Sequence, residues 1–434
     1  MSRAPARVIF GWAMFDFANS AYTTVIITVC YSVVFPKLIV GDAPTYELGN
    51  LLWSVALSIA NLLVVFSLPV LGAMTDAVGH RKRFLAASTI VTAAATAGLY
   101  FAGPGDVALA MLLVVIGSYG FAVGESFIAS FLPDLGPPES LGRISGLAWG
   151  LGYVGGLGCT AIVLGGLGPV TLDNMAAQRW IGPITAAWFL AAAIPTFVWL
   201  PDARVGQGRR EGTWIGAGFR QLRATAGELR RFRDLAVFLA SYLFAMAGLS
   251  IVVSFAFIYG DQIVGWSNAT KGLMFVLTQI TASLGALGFG WLQSRWGDKL
   301  TYALTLVIWL VAAGLIWATP TVGALLRGVW PSLLDEHVFL GVGALAGMCM
   351  GATQSASRTM VALFCPSDRV GEFFGLWGVF GKLAAVVGLL SLGVLQAVFG
   401  LANGVLVTGL FFAASLVILA GVDVDRGRRA ARGG

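Results

Sequence analysis

Charge is scarce in this chain. Asp, Glu, Lys and Arg make up only 11% of its 434 residues, where a soluble protein carries about 25%. Its 58% of hydrophobic residues therefore lack a polar coat, which excludes a soluble multidomain protein and equally a disordered one. Histidine is nearly missing: His80 and His337 are the only two, both in segments that read as loops, too few for a histidine-based metal centre. Cysteines are few and unpaired in spacing; Cys30, Cys159, Cys349 and Cys365 stand singly in apolar stretches. Neither a disulfide framework nor a zinc site is indicated, and no metal is expected. What is present is apolar sequence from end to end, with a mean hydropathy of +0.84. The solvent for it is lipid.

A helix that crosses a bilayer needs about 20 mostly apolar residues. Twelve such stretches run over 8–36, 48–73, 84–102, 107–132, 142–168, 180–200, 235–263, 270–293, 300–319, 338–364, 372–398 and 401–422. The first is too long to be a cleaved signal peptide. Basic residues orient the set. Both termini and the even-to-odd loops carry nearly all of them, including the eight arginines from Arg204 to Arg233, while Lys37, Arg179, Lys271 and Arg327 alone fall on the other side. The positive-inside rule makes the crowded side cytoplasmic. The net charge of +6 is thus a topology signal from arginines facing lipid headgroups, and no nucleic-acid partner is expected. The Arg, Ala and Gly richness reads as a GC-rich bacterial genome, hence a bacterial inner (plasma) membrane and a monomer among its lipids.

Residues 202–233 form the one long polar segment, and their pattern suits a linker with an amphipathic helix at the membrane surface. It separates an N-terminal six-helix half, 1–201, from a C-terminal half, 234–434, that ends in a basic tail. The halves echo one another. Gly72-Ala-Met-Thr-Asp76-Ala-Val-Gly79-His80-Arg81-Lys82 recurs as Gly290-Trp-Leu-Gln-Ser294-Arg295-Trp-Gly297-Asp298-Lys299, and Gly142-Arg143-Ile-Ser145-Gly146-Leu147 as Gly371-Glu372-Phe-Phe-Gly375-Leu376. Two parallel six-helix halves, an all-α integral membrane fold with pseudo-symmetry, are what this repetition implies.

The loop Gly72–Arg83 with its echo, inside a frame of twelve spans, resembles the signature of the major facilitator superfamily. Further stretches narrow the resemblance to its vacuole-effluxer-like branch, which includes yeast autophagy-related vacuolar amino-acid exporters. They are Trp12–Tyr22 in the first span, Phe131-Leu-Pro133-Asp134 after the fourth, Gln354–Arg358 in the tenth and Glu372–Lys382 opening the eleventh. One stretch departs: where that branch carries a polar Asn-Asp pair early in the seventh span, this chain has the apolar Tyr242–Ala247. The resemblance implies a central cavity lined by spans one, four, seven and ten. It also implies that Asp76 engages the start of span eleven near Gly371, with Arg81 or Arg143 completing a charge cluster and Ser294 in place of the acid in the second half.

Ionisable groups inside hydrocarbon cost several kcal/mol unless paired or hydrated, so each is a functional candidate. Four lie well inside spans: Asp16, Glu125, Arg358 and Lys382. In span one, Asp16, Asn19, Ser20 and Thr23 recur at i, i+3, i+4 and i+7, a polar face on an apolar helix that also holds Tyr22. Gln354 and Arg358 share a face at i, i+4. These nine residues are the substrate and coupling candidates, with Asp16 or Glu125 expected to pair with Arg358 or Lys382, and Glu125 to carry a coupling proton. The gating candidates are Gly72, Asp76, Gly79, Arg81, Arg143, Gly297 and Lys299.

No catalytic residue or cofactor site is expected. Gly150-Leu-Gly152-Tyr-Val-Gly155 mimics a dinucleotide fingerprint without a preceding strand or a following acid; its glycines suit close helix packing instead. Gly381-Lys382 lacks the spacing of a nucleotide loop. Transport would therefore draw on an ion gradient, protons first, to move a small polar metabolite by alternating access, amino acids being the leading guess by resemblance. A lipid-handling flippase on the same fold, or less readily a membrane-embedded enzyme, is the alternative.

Overall fold

The computed structural model describes residues 3–168, 170–202 and 231–432. The polar stretch expected to form an amphipathic linker helix lies almost wholly outside them. Among the described residues there is no strand, and eleven helical runs are long and apolar enough to cross a membrane. In order they are Ala6–Val40, Glu47–Val78, Arg81–Phe101, Val107–Leu135, Pro138–Leu167, Leu172–Trp199, Arg233–Val264, Asn268–Trp296, Asp298–Trp317, Asp335–Phe364 and Val370–Ala420; they are called spans one to eleven here. The last holds 51 residues, about 75 Å of helix at 1.5 Å per residue and more than twice the thickness of a bilayer core. Its backbone leaves helical geometry at Gly400 (φ 74°, ψ 165°). Two helices meet there, at the boundary between the hydropathy stretches ending at 398 and starting at 401, and the run fits two crossings.

Three local details differ from the sequence reading. The connection at 320–337 contains a short helix, Thr319–Arg327, started by a proline in its first turn, where a missing N–H costs nothing. His337 sits in the first turn of span ten, not in a loop, and its Nδ1 accepts from the Leu334 amide at 3.2 Å. Span one is not a uniform α-helix. Ala6–Ala21 is α-helical, but Tyr22–Val29 widens to π winding, with the Cys30 amide donating to Val25 five residues back. The cause is written locally: all seven residues from Thr23 to Val29 are β-branched, and such side chains crowd the preceding turn of an α-helix.

The described residues divide into two compact units. Unit 1 holds 3–136, 151–202 and 367–379; unit 2 holds 137–150, 231–366 and 380–432. In unit 1, span three turns a ladder of hydroxyls inward, Ser88, Thr89, Thr92 and Thr96, each satisfied by a carbonyl three or four residues earlier, so polar groups are buried there at no cost in hydrogen bonding. Span one is tied to span four by Trp12 Nε1 on the Ile128 carbonyl (2.7 Å) and to span six by Thr196 Oγ1 on the Gly11 carbonyl (2.7 Å). The false dinucleotide fingerprint is packing surface: Gly152, Gly155 and Gly156 lie against Asp16–Thr24 of span one in unit 1, and Gly146 and Gly150 against Ser283–Gly290 of span eight in unit 2.

Unit 2 is built on the seam between spans eight and ten. A Cβ on Gly351 would run into the Ala282 carbonyl, one on Gly285 into that of Met348. Gly351→Ala is therefore expected to destabilise by about 1–3 kcal/mol, the usual cost of overpacking. Gly393→Ala, whose Cβ would meet nothing within 4 Å, should be neutral or stabilise by about 0.5–1 kcal/mol, because alanine is the better helix former. Thermal unfolding of the two purified variants checks this; equal melting temperatures would dismiss the seam as a stability element.

Candidate functional site

The echoed motifs are each other's packing partners, one pair in each unit. In unit 1 the end of span two meets the first turn of span eleven, with Gly72 against the Gly371 carbonyl so closely that no side chain fits between them. This approach places the Asp76 carboxylate on the free amides of span eleven: Oδ1 accepts from Gly371 N at 2.8 Å and Oδ2 from Glu372 N at 2.9 Å. An anion capping a helix N-terminus is favoured both by those N–H groups and by the helix dipole. Gly79, left-handed at φ 73°, ends span two and turns the chain.

Arg81 then enters as the first residue of span three and is 1% exposed. Its Nη1 donates to the Ser130 carbonyl (3.1 Å) and Asp134 (3.2 Å), and its Nε lies 3.7 Å from Asp76. Arg81 is thus the arginine beside Asp76 within unit 1; Arg143 belongs to unit 2 and is exposed. Beside Arg81, Lys82 caps the end of span six, its Nζ on the Leu200 carbonyl (2.6 Å), and Asp202 contacts the Lys82 amide (3.0 Å) and His80 (3.3 Å).

Unit 2 repeats the close approach without the acid. Gly290 lies on Gly142 and Gly146, and Ser294, at the position of Asp76, donates back to its own helix at the Gly290 carbonyl (3.2 Å). The acid appears one turn later. Asp298 is the first residue of span nine, as Arg81 is of span three, and it is bonded by Arg428 Nη2 at 2.9 Å. The repeat is one residue shorter here, which is why Gly-to-Gly alignment of the motifs misses the correspondence. Lys299, expected at the gate, instead donates to the carbonyls of Ala420 (3.1 Å) and Val422 (2.6 Å), capping the last span as Lys82 caps span six.

Arg428 lies on a helix, Val424–Arg432, which sequence reading treats only as basic tail. Arg426 grips Asp234 with both Nε and Nη2 at 2.7 Å, and that carboxylate holds the guanidinium above its ordinary pKa. Charge counting finds such arginines but not their partners.

The candidates inside the spans fall into two groups. Asp16 and Asn19 are buried in unit 1, on the last α-helical turns of span one. The Asn19 Oδ1 is buried and accepts no hydrogen bond among the described residues. Ser20 and Thr23 are half-buried, and Thr23 returns its hydroxyl to the Ser20 carbonyl at 3.1 Å. Because the winding changes at Tyr22, the i+7 relation of Asp16 to Thr23 does not hold on a regular α-helix. Tyr22 is occupied: its hydroxyl meets Ser118 Oγ at 3.1 Å and its ring stacks on Phe121. Glu125 is half-buried on span four of unit 1.

In unit 2, Gln354 and Lys382 are half-buried and Arg358 is 1% exposed. Arg358 donates through Nε to Ser145 Oγ and through Nη2 to the Ser145 carbonyl, both at 3.2 Å, over the ring of Trp149. Ser145, Glu372 and Asp134 are site members that residue type alone does not mark. Their signal is position, next to the echoed glycines.

A family model described as "vacuole effluxer Atg22 like" matches residues 52–142 and 137–432. The uncharacterized MFS-type transporter YxiO of Bacillus subtilis is 25% identical over 95% of this chain and 94% of its own length. Autophagy-related protein 22-1 of Neosartorya fischeri is 24% identical over 66% of this chain, but that match spans 49% of the fungal protein. Among solved structures, the human organic anion transporter MFSD10 superposes with a TM-score of 0.72 at 17% identity, over 96% of this chain and 100% of that one. The proton:xylose symporter XylE reaches 0.72 at 14% identity, over 96% and 95%. Both likenesses establish the fold, and with the family match they make the chain a membrane transporter: it belongs to the vacuole effluxer Atg22-like family of the major facilitator superfamily.

Proposed function

We propose that this chain is a secondary transporter that moves a small polar metabolite, amino acids first, across a bacterial inner membrane by proton-coupled alternating access of its two halves, with both termini cytoplasmic. The carrying observation is the polar set kept inside unit 1: Asp16 and Asn19 buried on span one just before its winding widens, with Glu125 on span four. Buried charge in a membrane is costly and is retained where substrate or protons are handled, and π winding accompanies functional sites. Carboxylates suit an ammonium-bearing substrate, which agrees with the effluxer family without naming a cargo. In this reading Asp16 contacts substrate and Glu125 carries the coupling proton. Gln354, Arg358 and Lys382 are the second half's candidates, and the Gly72–Arg83 loop gates access.

Uptake of labelled proteinogenic amino acids into proteoliposomes, with and without an imposed proton gradient, tests the proposal. Wild type is expected to accumulate one or more of them in a gradient-dependent manner. Glu125→Gln should keep exchange while losing gradient dependence, and Asp16→Asn should lower uptake about tenfold, the loss of one charge-assisted contact of roughly 1.5 kcal/mol. Gradient dependence unchanged in Glu125→Gln would remove the proton role. Scrambling of fluorescent phospholipid by protein that moves no amino acid would replace the substrate class.

A further inference from the structure

The contacts of the C-terminal helix with unit 2 leave a pocket of about 430 Å³ where span eight gives way to span nine. Its walls include Trp296, Asp298, Lys299, Leu300, Val424 and Arg428. Three of its features favour an anion. Among the lining residues two cations, Lys299 and Arg428, stand against one carboxylate, Asp298, with Glu139 near that carboxylate but outside the lining. The Arg428 Nε is buried and meets no acceptor among the described residues, so the Asp298 contact leaves donor capacity unused. Span nine also begins here behind Gly297, which offers no side chain to cap its first amides; such a terminus carries partial positive charge.

The other wall is apolar and open. Trp296 is 54% and Leu300 60% exposed, at the end of one membrane span and the start of the next. A tryptophan at a span terminus sits at headgroup level. An anion that was only a free solute would have no use for that wall. A phosphate carried on a glycerol backbone with acyl chains would use both.

We propose that this pocket is a binding site for the headgroup of an anionic phospholipid. The phosphate meets Lys299, Arg428 and the first amides of span nine, and the glycerol end lies along Trp296 and Leu300. Because Arg428 also holds Asp298, and Lys299 the last carbonyls of the final span, the lipid would seat on the groups that dock the C-terminal helix. Lipid composition would thereby bear on how firmly that helix is held.

Native mass spectrometry of the full-length protein, offered an equimolar mixture of phosphatidylglycerol and phosphatidylcholine with the same acyl chains, tests the site. Wild type is expected to retain phosphatidylglycerol preferentially, by about fivefold for each cation engaged. Lys299→Gln with Arg428→Gln should bring the two lipids to parity. Should that pair fail to fold, Leu300→Asp places a carboxylate on the exposed wall, leaves the tail contacts intact and should also remove the preference. Lys271→Gln with Arg327→Gln, at the ends of spans eight and nine opposite the pocket, should not. A wild type without preference, a preference that survives Leu300→Asp, or its loss in the Lys271/Arg327 control overturns the proposal. Displacement of phosphatidylglycerol by millimolar inorganic phosphate, with equal thermal stabilisation by either, would identify a free-anion site and overturn the lipid assignment.

Discussion

In Asp76→Asn, the backbone amides of Gly371 and Glu372 exchange with deuterium about ten- to a hundredfold faster than in wild type. Both amides are held by one carboxylate, at 2.8 and 2.9 Å, in a site where Asp76 is 4% and Glu372 0% exposed. An asparagine presents one carbonyl oxygen and one NH2, so it keeps one acceptor and turns donors toward the second amide. The lost charge-assisted hydrogen bond contributes roughly 1.5–3 kcal/mol, and each 1.4 kcal/mol is a factor of about ten. The same change strips the buried Arg81 Nε of its nearest anion at 3.7 Å. Asp134→Asn is the contrast. That carboxylate also touches Arg81, but its side chain is 44% exposed, and a pair open to solvent contributes about 0–1 kcal/mol. Hydrogen exchange resolved to a peptide spanning 370–376 reads both variants. Equal exchange in Asp76→Asn and wild type would mean that the first turn of span eleven is held by glycine packing alone. If the clasp also gates transport, Asp76→Asn loses uptake while Asp134→Asn keeps most of it.

The positions of the spans were legible because burial in lipid is a local property. A run of about 20 apolar residues spans the bilayer whatever else the chain does, and even the break at Gly400 fell between two hydropathy stretches. The glycine echoes were legible too, since a backbone approach as close as Gly72 to Gly371 leaves glycine as the residue that fits. The partner of a buried charge is a different matter. It depends on chain segments far apart, so Arg428 on Asp298, 130 residues away, could not be read from a count of basic residues. Asp298, one turn beyond Ser294, was hidden for the same reason, because what marks it is Arg428 and not its place in the motif. Winding is intermediate: the run of β-branched residues from Thr23 to Val29 marked the widened helix, but a fixed period of 3.6 residues passes over it.

Arg358 shows what the long-range partner changes. As a cation in a span it qualifies equally for binding an anionic group and for holding helices together, whereas its geometry ties span ten to the entry of span five. Nε and Nη2 share Ser145, whose own hydroxyl donates to the Ser355 carbonyl at 2.9 Å, and the guanidinium lies 5.4 Å from the Trp149 ring centroid. A planar fork can meet a hydroxyl and a carbonyl of one residue while stacking on an indole; an ammonium cannot. Arg358→Lys is therefore expected to lose nearly as much stability as Arg358→Gln, about 3 kcal/mol for breaking a buried charged network, or a fall of roughly 6–12 °C in melting temperature at 2–4 °C per kcal/mol. Ser145→Ala should reproduce part of that loss, and the Ser145→Ala, Arg358→Gln double variant should fall short of the sum, as neighbours in one network do. Full rescue by lysine, or strict additivity of the two sites, would show that charge rather than geometry is what Arg358 supplies. A residue that only binds an anionic substrate would leave Ser145→Ala at wild-type stability.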